Sequence, residues 1–124
     1  MDNILIWGSG NVYDEMFTLI KYYENIGQFH VVGITSNDCY YDSIDDYPFI
    51  KKKDLNRIVF DWILICAKDE AAVRKEALLL GITEDKMLSA RILSIPYFDF
   101  MRYITLVKSK ISIFANNCWG GGIP

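Results

Sequence analysis

The sequence predicts an α/β fold: a doubly wound, mainly parallel sheet of four or five strands with flanking helices. Three observations predict it. Short runs of consecutive apolar residues recur along the chain, as in strands covered on both faces of a parallel sheet. Segments with apolar residues at helical spacing alternate with those runs, the pattern of successive βαβ units. The chain has 124 residues, 52% of them hydrophobic. That is enough for one core and too little for separate cofactor and substrate lobes.

The first strand is Asn3-Ile4-Leu5-Ile6-Trp7, bounded by Gly8-Ser9-Gly10. Residues 12–26 then change period: Val12, Met16, Leu19 or Ile20, and Tyr23 recur at helical spacing, with Asn11 as the expected N-cap and Gly27 as the stop. Residues 29–35, rich in β-branched side chains, form the second strand. Residues 36–47 read as a polar, tyrosine-rich loop, and residues 47–50 as an edge segment because Pro48 cannot donate to a ladder. One or two helical turns follow at 51–58, then the third buried strand at 60–67. Asp69 caps a helix over 70–80 that Gly81 ends. Residues 87–93 are expected as a fourth strand, and Pro96 as the opening of a third helix over 97–109. Ile111-Ser112-Ile113-Phe114-Ala115 reads as a fifth strand.

Composition excludes several classes of function. The 13 basic and 16 acidic side chains give a net charge of −3, without the basic stripe of a nucleic-acid binder. No apolar run is long enough for direct membrane insertion, and the N-terminus lacks the pattern of a signal peptide. Cys39, Cys66 and Cys118 make no CxxC pair. An odd count without a secretion signal predicts reduced thiols and a cytoplasmic protein. His30 is the only histidine, so a His-rich metal site is impossible.

The motif with most chemical content is Trp7-Gly8-Ser9-Gly10-Asn11-Val12-Tyr13. It falls between the first strand and first helix, where nucleotide-binding sheets place their phosphate turn. Gly8 allows a tight turn, and Gly10 lets backbone N–H groups approach a phosphate at the helix N-terminus. Two parts of the dinucleotide fingerprint are missing. Tyr13 stands where a third small residue is usual, and the second strand ends Thr35-Ser36-Asn37-Asp38 without an acid in place. Asp38 comes a few residues late, while Ser36 and Asn37 retain hydrogen-bonding capacity for a ribose. Lys68, at the carboxyl end of the third strand, is placed to meet a phosphate. The candidate binding set is therefore Gly8, Ser9, Gly10, Asn11, Ser36, Asn37, Asp38 and Lys68. The competing reading is a turn kept for the fold alone, and the direction of the Tyr13 ring decides between them.

Residues 1 to about 97 resemble the small Rossmann-like domains of bacterial polysaccharide-biosynthesis proteins. The resemblance rests on Ile6-Trp7-Gly8-Ser9-Gly10, Tyr47-Pro48-Phe49-Ile50 and Gly81-Ile82-Thr83-Glu84-Asp85-Lys86. Residues 111–121, with the core Asn116-Asn117-Cys118-Trp119-Gly120-Gly121, resemble the opening of a domain of unknown function in exopolysaccharide-biosynthesis proteins. The first resemblance implies a ligand such as NAD, a nucleotide or a nucleotide-sugar such as a UDP-sugar. The second implies a Rossmann-like domain over 1–110, with residues 111–124 a terminal strand and glycine-rich tail that begins another domain.

Binding rather than catalysis is the first expectation, since the chain carries no Tyr-x-x-x-Lys pair, triad or metal-ligand set. The alternatives are a scaffold or oligomerisation domain with a vestigial turn, or the cofactor-binding fragment of a sugar-nucleotide oxidoreductase or epimerase. Phe98, Phe100 and Tyr103 are the residues expected to pair two copies or dock a following domain. Tyr40 and Tyr41 are candidates to stack on a base. The acidic stretch at Asp42, Asp45 and Asp46 and the run Lys51-Lys52-Lys53 read as solvated surface, His30 as structural, and Cys66 and Cys118 as small hydrophobes.

Overall fold

The computed structural model of the protein describes residues 2–36 and 43–116, with side chains through Lys108. Four parallel strands form the sheet: β1 (Asp2–Trp7), β2 (Phe29–Thr35), β5 (Trp62–Ile65) and β6 (Met87–Ser89), in the spatial order β2-β1-β5-β6. Between β2 and β5 lies a separate hairpin of β3 (Ser43–Ile44) and β4 (Tyr47–Pro48). The helices are α1 (Asn11–Asn25), α2 (Glu70–Leu79) and α3 (Phe100–Asn116). Short 3-10 turns occupy Lys52–Arg57, Glu84–Lys86 and Ala90–Ser94.

The consecutive apolar runs make sense once both faces of the sheet are seen. Ile4 and Ile6 of β1, with Trp62 and Leu64 of β5, pack under α1 and the first turns of α3. Leu5, Trp7, Ile63 and Ile65 point the other way, against Leu55, Ala77 of α2 and Ile82. Alternate side chains of one strand thus feed two different cores, so every position is apolar. Helices on both faces make this a doubly wound α/β fold, as the sequence predicts.

The ends of the central pair are fastened by backbone and side-chain bonds. Asn3 N–H donates to Asp61 Oδ2 at 2.7 Å, and Asp61 N–H donates back to the Asn3 carbonyl at 2.8 Å. At the other end Cys66 N–H donates to the Trp7 carbonyl at 2.8 Å. Trp62 is buried and its indole N–H donates to Asp2 Oδ2 at 2.8 Å.

The outer edge of β2 is covered by the hairpin. Phe49 bridges Ile34, and Ile50 N–H donates to the Ile34 carbonyl at 2.9 Å. Gly33 permits this approach: a β-carbon there would lie 2.2 Å from Ile50 Cδ1. Strand β2 also carries one extra residue, Ile4 pairing Val31 while Leu5 pairs Gly33. Beside this bulge the Glu24 carboxylate accepts from Val31 N–H at 3.0 Å and from the Tyr47 hydroxyl at 2.9 Å.

Several element boundaries differ from the sequence expectation. Residues 111–115 belong to α3 and not to a fifth strand, so the sheet has four strands among the described residues. Ile111 and Phe114 continue the spacing of Phe100, Ile104 and Val107, and no glycine or proline interrupts it. The fourth strand stops at Ser89, whose hydroxyl accepts from Arg91 N–H and starts a 3-10 turn. Helix α3 starts at Phe100 because Asp99 Oδ1 caps Arg102 N–H at 3.1 Å and Gln28 Oε1 accepts from Met101 N–H at 2.9 Å. Tyr97 lies outside it at φ +59°. Gly10, not Asn11, is the N-cap of α1, whereas Asp69 caps α2 as expected by accepting from Ala72 N–H. The loop over 36–47 contains β3 and the hairpin turn.

Candidate functional site

Strand order reverses between β1 and β5: the chain leaves β1 for β2 on one side, then returns to place β5 on the other. Crossovers to opposite faces open a crevice beyond the carboxyl ends of such a strand pair. A cavity of about 490 Å³ occupies that place, lined by residues 8–12, Ser36 and residues 66–68.

Gly8 makes the turn possible. Its φ is +122°, its N–H donates to the Thr35 carbonyl at 2.8 Å, and a β-carbon there would lie 2.1 Å from the Cys66 carbonyl oxygen. Backbone crowds backbone at this point, so only glycine fits. Gly10 differs, because a β-carbon there would meet nothing within 4 Å. No packing demand of the protein requires a glycine at position 10, and the space beside it is open to a ligand.

Helix α1 begins without a side-chain cap. Its first free amides, those of Asn11, Val12 and Tyr13, have no intrahelical acceptor, and the positive end of the helix faces the cavity. Ser9 Oγ donates to Ser36 Oγ at 2.9 Å, tying the glycine turn to the end of β2. Lys68 is exposed on the β5 side. The neighbouring carboxylates are engaged elsewhere: Asp69 caps α2, and Glu70 accepts from the Ser89 hydroxyl at 2.8 Å.

Tyr13, at the third position of the fingerprint, does not line this cavity. Its ring is buried between α1 and the sheet, 5.7 Å from Phe17, and its hydroxyl donates to Asp45 Oδ2 at 3.0 Å. Burial, and then the hydrogen bond and charge of Asp45, push the phenol above the ordinary tyrosine range. Asp45 and Asp46 have φ of +50° and +71°, the positive pair of a type I′ hairpin turn. Asp45 is exposed, so Tyr13→Phe leaves a hydrated carboxylate and costs about 1 kcal/mol. A lowered urea midpoint with an unchanged slope is the expected readout.

Six of the sequence-predicted residues therefore converge: Gly8, Ser9, Gly10, Asn11, Ser36 and Lys68 line one cavity. Asn37 and Asp38 lie outside the described residues, as do Cys39, Tyr40, Tyr41 and Cys118. Val12, Cys66 and Ala67 complete the wall, the first legible only as a helix residue and the other two only as strand residues. The Cys66 thiol is buried and its pKa is pushed up to about 12, by burial first and then by the charge of Glu70. It holds its proton at neutral pH and is no nucleophile there. His30 sits at the opposite end of the sheet, exposed and 3.7 Å from Glu24. Lys52 is not a plain solvated charge: it pairs with Glu76 and lies 5.4 Å above the Trp7 ring. Among the described residues no group of three His, Cys, Asp or Glu side chains is arranged to hold a metal ion.

A family model described as C2185-like, N-terminal matches residues 1–88. The match covers β1 through most of β6, the whole cavity wall included. The chain belongs to the C2185-like N-terminal family. No curated protein matches it. In this C2185-like domain no helix among the described residues is long and apolar enough to cross a membrane.

Proposed function

We propose that this C2185-like domain is a non-catalytic binding module for a nucleotide or nucleotide-sugar, held by its phosphates, in a cytoplasmic protein of polysaccharide biosynthesis. One observation carries the proposal. The uncapped N-terminus of α1 opens into a roomy cavity at the reversal point of the sheet, with Lys68 on its wall. Orphan amides and a helix dipole favour an anion, and a diffuse phosphate charge suits several N–H donors better than a single carboxylate. Tyr13 supports the same reading, because its ring packs in the core and leaves the turn uncovered. The cavity wall supplies phosphate and hydroxyl contacts but no activated nucleophile, since Cys66 is buried and protonated.

The test is calorimetric titration with UDP, two UDP-sugars, NAD and NADP, on the wild type and on Gly10→Trp. A β-carbon at position 10 meets nothing within 4 Å, so the larger side chain starts in open space beside the turn. Saturable binding by the wild type, weakened at least about tenfold in a folded Gly10→Trp variant, is the expected result. Absence of binding at millimolar ligand to a folded wild type overturns the proposal and leaves the turn a scaffold feature.

A further inference from the structure

We propose that the β3–β4 hairpin, with Phe49 and Ile50, is a strap over the outer edge of β2 that opens and closes as its own unit, latched to α1 by two phenol–carboxylate bonds. The proposal is independent of what the cavity holds. The segment straddles the edge strand: Tyr47 packs into the core beneath α1, and Ile50 into the core on the opposite face of the sheet. Between them Phe49 bridges Ile34, and Ile50 N–H donates to the Ile34 carbonyl at 2.9 Å. Gly33, with no side chain, is the notch that seats Ile50.

Little inside the hairpin itself keeps it in place. Its ladder consists of Ser43 with Pro48 and Ile44 with Tyr47. A two-stranded hairpin is marginal on its own even when longer than this. Asp45 and Asp46 both turn at positive φ, where a residue with a β-carbon costs backbone energy. Ser43, Asp45, Asp46 and Pro48 are exposed. The latch comes from α1, and it is reciprocal. Tyr13 of the helix donates to Asp45 of the hairpin, and Tyr47 of the hairpin donates to Glu24 of the helix. Lys21, three residues before Glu24, adds an ammonium 4.5 Å from the centre of the Tyr47 ring. The β1–β5 pair, by contrast, sends Ile6 and Leu64 into one core and Trp7 and Ile65 into the other. Breaking the latch and withdrawing Tyr47 and Ile50 therefore frees the strap while the central strands stay paired. Segments held by so few buried contacts open at lower free energy than the core. Release bares the Ile34 carbonyl and the Gly33 backbone, the pairing groups of a sheet edge.

Native-state hydrogen exchange on the full chain, in urea below the unfolding transition, tests this. Ile50 N–H reports on the strap, and Cys66 N–H, bonded to the Trp7 carbonyl, reports on the central pair. Relative to its intrinsic rate, Ile50 is expected to exchange at least about tenfold faster than Cys66. Its rate should rise little with urea, because this opening exposes little surface. Tyr13→Phe and Tyr47→Phe each delete one latch bond and should each speed Ile50 exchange about fivefold. Equal protection and equal urea dependence of the two amides would mean that the strap leaves only when the whole domain unfolds, which overturns the proposal. Unchanged Ile50 exchange in both variants overturns it equally, since the phenols would then not hold the strap.

Discussion

Gly8→Ala is expected to remove about 3–5 kcal/mol of folding stability, the sum of left-handed backbone strain and an overpacked contact. The new β-carbon would lie 2.1 Å from the Cys66 carbonyl oxygen and 2.9 Å from its carbon, both backbone atoms of β5's continuation. Neither can rotate aside. Relief requires separating the ends of β1 and β5, which breaks the bond from Cys66 N–H to the Trp7 carbonyl and opens both cores. Domains of this size carry about 5–15 kcal/mol in total, so a large share is lost. Gly10→Ala is the matched control: its β-carbon enters open space, and the change stays within about 1 kcal/mol. Urea denaturation of the two variants checks the pair. A Gly8→Ala protein as stable as wild type would mean that the two strand ends do not meet as described.

Alkaline pH is expected to unfold the domain steeply, with stability intact below about pH 9 and collapsing above pH 10. Tyr13, Tyr47 and Cys66 are buried, and burial raises each pKa, aided by Asp45, Glu24 and Glu70 respectively. In the unfolded chain the thiol releases its proton near 9.0 and the phenols near 10.0, whereas folded Cys66 holds its proton to about 12. Each folded-state pKa is thus raised. The stabilising contribution is complete while all forms are protonated and is lost as the unfolded state alone ionises. Tyr23 is raised as well, by burial first, and four such groups give a slope of up to about 5 kcal/mol per pH unit once all are released. Denaturation midpoints measured from pH 7 to 11 should stay level and then fall, and Tyr13→Phe should shed about a quarter of the slope. A flat profile to pH 11 would show that these side chains ionise as readily folded as unfolded.

The β-strands were readable because burial on both faces leaves an unmistakable mark, four or five apolar residues in succession, as at Leu5 or Ile63. The glycine turn was readable because its chemistry is local: Gly8 through Asn11 lie within one loop. Ser36 and Lys68 followed from the rule that strand ends gather beside that loop. The rest depended on distant partners. The hairpin at β3–β4 uses Asp45-Asp46 in a turn that usually favours glycine, and it is held by Tyr13 and Glu24 from α1. Residues 111–113 alternate β-branched and polar residues as a strand would, but residues 111–115 also continue the apolar spacing of a helix already under way. In that contest the existing helix wins, since adding residues to it requires no new nucleus.

A sheet that is oily on both sides has a weakness. In an amphipathic strand, slipping by one residue turns its apolar side chains to water, and polarity alone forbids the error. Strands β1 and β5 lack that safeguard, because Leu5 or Ile63 moved to the opposite face would still meet hydrocarbon. Frame must then be set by features that tolerate no shift. The reciprocal Asn3–Asp61 bonds fix one end of the pair, and the contact of Gly8 with the Cys66 carbonyl fixes the other. The glycine that opens the turn after β1 is therefore also the stop against which the central strands are aligned. On the reading proposed above, the alignment of the strands and the openness of the turn to a phosphate depend on the same residue.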